Sequence, residues 1–418
     1  MKNKSTLAII FLTIFIDLLG FGIFIPLLPS FSINELHISE SMIGLTVGIY
    51  SLMQFLFSSV WGSLSDRYGR KPVLVMSLIG SFLAYLMLAL VFSGVVLSVL
   101  LLVISRAFAG IFAANLSAAQ AVISDITAPE DRTRGIGLIS AAFGLGFVFG
   151  PALGGILSDK FGYGFPIYVS ACLSLTATLL CIFVFKETLP VEIQMSNRKN
   201  KKIRNPLNLR QIAEVLKNDK TGKFIIIFFV NVLAFSNIFG TLQLFAERKE
   251  GLNLSQAEIG YLFSFMGIAG AFVQLVLLKI VKARIGEDMT LILGCFLAFI
   301  GLVFMGFISN ILFLLLFVFL LSAGNGMSST VSISLLSQNT GPNEQGSILG
   351  INQSLGAFAR FLGPTWGGFV YQYLGYQSPF ITGGIFMLII TVYSYKILKK
   401  QSSGFGEKIY HKDTESTE

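Results

Sequence analysis

Three charged side chains stand inside long apolar runs. They are Asp17, within Phe15-Ile16-Asp17-Leu18-Leu19-Gly20-Phe21-Gly22-Ile23-Phe24-Ile25-Pro26-Leu27-Leu28-Pro29; Arg106, within Ser105-Arg106-Ala107-Phe108-Ala109-Gly110; and Arg360. A carboxylate ionised against lipid costs several kcal/mol, so Asp17 must face a cavity, pair with a cation or carry its proton. Each of these describes a group that exchanges protons or cations. Arg106 cannot give up its proton and must be compensated, by Asp17 or by a water-filled cavity. The residues leave open whether Asp17 exchanges protons or is only the structural partner of Arg106. No acid accompanies Arg360 at mid-depth, so it either hydrogen-bonds backbone near Pro364 or meets an anionic group of a substrate. Gln54, Asn115, Gln120, Asn231, Asn237, Gln243, Gln274, Asn325, Asn352 and Gln353 could line a cavity around these charges, although amides in apolar helices also bind helices together.

The elements that hold these groups follow from composition. The chain has 418 residues, is 54% hydrophobic and only 12% charged, with 40 Phe and 42 Gly. A water-soluble chain this apolar would precipitate, whereas rings facing acyl chains and glycines at helix contacts suit a helical membrane bundle. About 20 apolar residues cross a bilayer core. Twelve such spans are expected, at 7–29, 41–64, 73–93, 97–122, 135–158, 163–185, 223–246, 257–280, 289–308, 311–336, 346–371 and 378–398. The first is too long for a secretory signal and lacks a small-residue cleavage site. Cys172, Cys181 and Cys295 all fall inside spans without metal-ligand spacing, so they read as packing residues, with neither a disulfide framework nor a metal site.

The formal charge of +8 is one-sided. With a cytoplasmic N-terminus, the cytoplasmic side holds 25 of the 30 Lys and Arg; the other side holds Lys160, Arg248 and Lys249, and the interior Arg106 and Arg360. This asymmetry predicts a multi-pass inner- or plasma-membrane protein with both termini cytoplasmic. It reads the basic runs Arg198–Arg204 and Lys396–Lys400 as facing lipid headgroups rather than nucleic acid.

Residues 187–222 break the apolar rhythm as a cytoplasmic linker, with a short amphipathic helix expected near Leu207–Leu216. They divide a bundle at 1–186 from one at 223–398, followed by a tail at 399–418. At an offset of 213 residues Gly150-Pro151 falls on Gly363-Pro364, Gly154-Gly155 on Gly367-Gly368, Gly162-Tyr163 on Gly375-Tyr376 and Pro166 on Pro379. Thr127, Pro129 and Gly137 likewise fall on Thr340, Pro342 and Gly350. The chain reads as a duplicated six-helix unit, an architecture in which a site between repeats opens alternately to the two sides.

Between spans 2 and 3 stands Gly62-Ser63-Leu64-Ser65-Asp66-Arg67-Tyr68-Gly69-Arg70-Lys71-Pro72-Val73-Leu74. Span 5 carries Gly144-Leu145-Gly146-Phe147-Val148-Phe149-Gly150-Pro151-Ala152-Leu153-Gly154-Gly155. The first resembles the loop signature of the major facilitator superfamily and the second the motif of its antiporter branch; Asp17, in its D-x-x-G-x-G-x-x-x-P setting, resembles the drug/proton antiporters with twelve spans, the tetracycline exporters among them. The resemblance covers essentially Leu7–Leu398. It implies an all-α fold of two pseudo-symmetric six-helix bundles and a cytoplasmic gate at Gly62, Asp66, Arg67, Gly69, Arg70 and Lys71, with Arg70 pairing near Asp125 and Asp66 capping span 11. It further implies a seal opposite the cytoplasm by Gly146, Gly150, Pro151, Gly154 and Gly155, and proton coupling through Asp17 and Arg106. The second-half loop from Lys279 to Asp288 keeps only the glycine and some basic character, so an asymmetric latch is expected.

The function so implied is secondary transport: efflux of small amphipathic compounds in exchange for protons, by a monomer driven by the proton motive force, without cofactor or enzymatic activity. No Walker-type phosphate loop is present. Two positions depart from the tetracycline exporters: Ala84 replaces their third-span acid, and Leu297-Ala298-Phe299 offers none in span 9. The alternative on the same fold is a symporter or facilitator for an organic anion, with Arg106 and Arg360 as clamps.

Overall fold

A computed structural model describes residues 4–113, 116–126, 132–200, 209–341 and 344–415. Among these residues there is no strand, and helix occupies every expected span. The amino-terminal helices are α1 (Lys4–Phe24), α2 (Leu28–Asn34), α3 (Glu40–Tyr68), α4 (Arg70–Phe92), α5 (Val99–Phe112), α6 (Leu116–Ile126), α7 (Arg132–Phe161) and α8 (Gly164–Phe183). In the connecting region lie α9 (Val191–Asn200) and α10 (Leu209–Lys217), the latter where the amphipathic helix is expected. The carboxy-terminal helices are α11 (Gly222–Ser236), α12 (Leu242–Glu247), α13 (Gln256–Phe272), α14 (Leu278–Met305), α15 (Ile311–Gln338), α16 (Gln345–Leu374) and α17 (Ser378–Glu415). Eight helical runs among the described residues are long and apolar enough to cross a membrane, with mean hydropathy from 1.5 to 2.6.

The buried apolar side chains segregate. One core, around Phe224, Phe263, Cys295 and Phe380, belongs almost wholly to the carboxy-terminal helices; two others, around Leu74 and Leu78 and around Phe31 and Phe92, belong to the amino-terminal ones. The equivalent helices α7 and α16 are both 30 residues long and are displaced by the same 213 residues as the sequence repeat. Each ends at a glycine with positive φ, Gly162 at 80° and Gly375 at 93°, a conformation that a side chain would disfavour.

Several expected spans are not uniform α-helix, the first turning at 25–27 between α1 and α2. In the fourth, α5 ends at Phe112 and neighbouring helices satisfy carbonyls at its end: Trp61 Nε1 donates to Ile111 O (2.6 Å), Ser77 Oγ to Phe112 O (2.5 Å) and Gln54 Nε2 to Ala113 O (3.3 Å). The seventh breaks after Ser236 into a 3₁₀ turn, Asn237–Gly240, before α12. The eighth and ninth run as helix from Gln256 to Met305, with a π turn at Val273–Leu277 and a reversal at Gly286 (φ 79°, ψ 172°).

The two sets of helices meet along two seams. In one, α7 presents Gly146, Gly150 and Gly154 to Leu18, Gly22 and Ile23 of α1, while Phe147, Pro151 and Gly155 meet Gly267, Gly260 and Gln256 of α13. In the other, α16 presents Gly363 and Gly367 to Ser236 and Asn237, while Phe361, Pro364 and Gly368 meet Gly48, Gly44 and Glu40 of α3. Backbones approach this closely only where small residues face each other. The seams converge toward the face that carries the turns after α2, α7 and α12. There Ser41 N–H donates to Gln372 (3.2 Å) and Ala257 N–H to Asp159 (3.1 Å). Toward the opposite face, where the linker runs, Gly144, Gly346 and Gly350 have no neighbouring atom among the described residues where a side chain would project. Among the described residues the two sets of helices are closed on the face away from the linker.

Candidate transport site and gates

Asp17 lies on α1 in a pocket of about 10 Å³, lined by Leu18, Phe21, Tyr50, Ser81, Tyr85, Ala109 and Ala113. One water needs about 10–15 Å³ and drug pockets run to roughly 300–1,000 Å³, so this conformation leaves water-sized space beside Asp17 and no drug cavity. Asp17 acts electrostatically on the hydroxyls of both Tyr50 and Tyr85. Arg106 of α5 is 2% exposed, and its guanidinium carbon lies over three rings: Phe24 at 4.2 Å, Tyr50 at 4.7 Å and Phe21 at 5.9 Å from the centroids. Aromatic faces offer a desolvated cation a partner that water cannot displace. Its Nε is buried without a hydrogen-bond partner among the described residues. Arg360 of α16 approaches Gly356 and acts on Tyr50 as Asp17 and Arg106 do, so Tyr50 stands where charges from both sets of helices converge. Sequence reading missed Tyr50 and Tyr85; one tyrosine among so many rings carries no distinguishing signal.

The expected cavity amides separate. Asn231 is 1% exposed and bound to its neighbours, its Nδ2 donating to Asn325 (3.2 Å) and its Oδ1 accepting from Ser328 (2.9 Å). Asn237 donates to Pro379 O (2.5 Å) and is pressed by Gly363 and Gly367, so it joins helices instead of lining a cavity. Gln54 is engaged at the end of α5, and Gln120 is exposed. Gln243 belongs to the sealed face, while Asn352 is buried. Asn115 lies outside the described residues.

At the linker face the loop between α3 and α4 folds around Arg70, whose side chain is 7% exposed. Its Nε reaches Asp125 Oδ2 at 2.9 Å, as the resemblance implies, and its Nη1 reaches Asp66 at 2.7 Å and Ser65 at 3.0 Å. Although burial works against the charge, the hydrogen bonds Arg70 donates to Asp125 and Asp66 leave its guanidinium above its ordinary range. Gly69 makes the turn at φ 105°. The N-terminus of α4 is capped by Glu187, which accepts from the N–H groups of Arg70 (2.9 Å) and Lys71 (3.1 Å), an anion at the positive end of a helix dipole. Lys71 Nζ donates to Ile182 O (2.6 Å), and Arg67 and Arg198 exchange hydrogen bonds with each other's carbonyls at 3.1 and 3.0 Å. Asp66 is engaged by Arg70 within its own loop; the expected cap on span 11 falls where residues 342–343, just before α16, lie outside the described residues.

The second-half loop keeps more of this device than its residues advertise. Gly286 makes the turn, Lys282 pairs with Glu287, and Glu287 receives Gln338 (2.9 Å) and Ser334 (3.4 Å) of α15. Burial opposes the charge on Glu287, but these donors hold its carboxyl below the ordinary value. The latch is asymmetric in residue types and symmetric in construction.

Among the described residues no three His, Cys, Asp or Glu side chains gather to hold a metal. Cys181 and Cys295 are buried and Cys172 is exposed, all free.

Comparison with known proteins agrees with this architecture. The model of the Major Facilitator Superfamily matches residues 10–364 and 224–409. Multidrug resistance protein 2 of Bacillus subtilis (strain 168) is 28% identical over 93% of this chain and 94% of its own length. The class H tetracycline resistance protein of Pasteurella multocida is 29% identical, covering 94% and 97%. The class C tetracycline resistance protein of Escherichia coli is 30% identical, covering 87% and 89%. Among solved structures, a bacterial homolog of the human lysosomal transporter Spinster, in an inward-facing and occupied conformation, superposes with a TM-score of 0.78 at 12% identity over 94% of this chain and 96% of its own. The human organic anion transporter MFSD10 gives 0.67 at 23% identity, covering 93% and 98%. With its twofold helical repeat, its loop motif and a family match that spans nearly its whole length, the chain belongs to the Major Facilitator Superfamily.

Proposed function

We propose that this protein is a proton-coupled antiporter that expels small amphipathic compounds by alternating access. The observation that carries the reading is Asp17, an acid in the pocket of Tyr50 and Tyr85, where Tyr50 also carries Arg106 over its ring and feels Arg360 from the other set of helices. The efflux relatives similar over nearly the whole chain support it. In this reading residues 1–186 and 223–398 are the two rocking bundles, joined by 187–222 and followed by the tail at 399–418. The linker face and both termini are cytoplasmic, the sealed face is external, and the working unit is a monomer in the inner or plasma membrane.

The cycle follows from charge. A proton on Asp17 neutralises it, so the empty carrier can turn without moving a naked carboxylate through an apolar site. Loss of that proton leaves an anion that favours a cationic or polar compound, and Arg106, fixed over its rings, sets how readily the proton leaves. Substrate and proton therefore compete for one carboxylate, which is the requirement for exchange. The Arg70 and Glu287 loops tie neighbouring helix ends into units that move as bodies.

The test is internal pH in vesicles carrying the protein with an acid interior, challenged with lipophilic cations, neutral drugs and organic anions. Alkalinisation by cations or neutral drugs, absent in Asp17→Asn, is the expected result. A response to anions alone, unchanged in Asp17→Asn, would instead favour an organic-anion carrier built on Arg106 and Arg360.

A further inference from the structure

On the sealed face, away from the pocket of Asp17, three polar side chains from three elements close on one carboxylate oxygen. Glu247, the last residue of α12, lies just beyond its apolar run. Its Oε1 accepts from Ser30 Oγ of α2, from Gln256 Nε2 of α13 and from Gln243 Nε2 (3.2 Å). The donors also bind one another: Gln256 Nε2 donates to Ser30 Oγ at 2.8 Å, Gln243 Nε2 to Ser30 Oγ, and Gln243 Nε2 to Gln256 Oε1 at 3.2 Å. Ser30 is 0% and Gln243 1% exposed. Ser30 comes from the amino-terminal helices and the other three from the carboxy-terminal ones, so the cluster lies across the seam between the two moving parts.

One atom in this cluster is unspent. Gln243 Oε1 is buried and has no hydrogen-bond partner among the described residues. A buried orphan acceptor costs about 1–3 kcal/mol, and an ionised carboxylate, which can only accept, cannot relieve it. A protonated carboxyl adds one donor to a cluster with one acceptor to spare. We propose that Glu247 is a proton-binding site built into the seal, distinct from the mid-membrane acid, and that a proton held there favours the sealed form.

The electrostatics agree in sign. Burial outweighs the donors from Ser30, Gln243 and Gln256 and pushes the Glu247 carboxyl above its ordinary value. The other titratable groups that feel it are Tyr163 beside α2, which also feels Glu35, and Tyr371 of α16, which also feels Glu40 and Arg248. Arg248, the next residue, is spent on the ring of Tyr376, with its guanidinium carbon 3.2 Å from the centroid. Opening the seal would return Glu247 to water and to its ordinary affinity. The sealed form therefore binds the proton more tightly, so its advantage is full at low pH and is lost as pH rises through the raised value. Glu247 on the external side would make the acidity that drives transport also close the outer face behind the departing compound. That consequence rests on the transport reading; the proton site itself does not.

Spin labels at Lys160→Cys and Lys249→Cys, one on each side of the seal, read the opening directly in a chain whose Cys172, Cys181 and Cys295 are replaced by Ala. Between about pH 5.5 and about pH 8 the long-distance population is expected to rise roughly threefold or more. Glu247→Gln, neutral at every pH, is expected to keep it low throughout, while Asp17→Asn keeps the response. Ser30→Ala, which removes a donor to the ionised form, is expected to move the midpoint to higher pH. A response that survives Glu247→Gln, runs in the opposite sense or is missing in the parent would overturn the proposal. None of these readings requires that the protein transport anything, so loss of drug exchange would not imitate them.

Discussion

The guanidinium of Arg106 stands over the ring of Tyr50, its central carbon 4.7 Å from the ring centroid, although the two side chains come from different helices. A desolvated cation over an aromatic face is worth about 2 kcal/mol, or roughly a 30-fold change in an equilibrium. Tyr50→Leu is therefore expected to lower the rate of proton-linked exchange by more than 10-fold, and Tyr50→Phe by much less. Initial rates in vesicles distinguish the two; equal losses would assign the role to the hydroxyl.

The Arg70 loop makes a prediction about stability. Arg70→Leu removes the guanidinium from Asp125 and Asp66, and removing one member of a buried pair costs about 3 kcal/mol, less here because Asp66 is 36% exposed and Thr188 still donates to Asp125. The thermal midpoint of purified protein should fall by several degrees, and residual exchange should keep the parent's order of substrate preference. A changed preference would tell against a latch.

Packing on the seal is tested at Gly44, where a side chain would run into the Pro364 carbonyl. Gly44→Leu should hold the sealed face apart. Labelling of Ser41→Cys by a membrane-impermeant maleimide is expected to rise several-fold while exchange drops below about a tenth of the parent rate. Unchanged labelling would mean that α16 can move aside without breaking the seam.

The turn at Gly286 carries a pH dependence of its own. Because the Glu287 carboxyl is held below its ordinary value, the pairing with Lys282 is present at neutral pH and lost as pH falls through the depressed value. Hydrogen exchange across 282–288, corrected for intrinsic rate, should be slow near neutrality and fast in strong acid. Glu287→Gln should be fast at both.

Much of this arrangement was legible in the residues. The 213-residue offset comes from glycines and prolines, which are constrained by backbone geometry, and the same offset relates α7 to α16 end to end. The Arg70–Asp125 pair followed from a loop motif. The partners of Asn237 and Gln54 were not legible, because an amide spent on a carbonyl and an amide facing water have the same letter; only the neighbouring backbone distinguishes them. Glu187 and Glu247 were overlooked for a related reason. Each sits just outside an apolar run, where acids are common, and its importance comes from partners up to 217 residues away.

The matched seams, Pro151 on Gly260 and Pro364 on Gly44, act on opposite flanks of the molecule. Each joins an amino-terminal helix to a carboxy-terminal one, so the two seams are not independent. A carrier made from two copies of one unit thereby couples its flanks, and a side chain that wedges one seam apart strains the other as well.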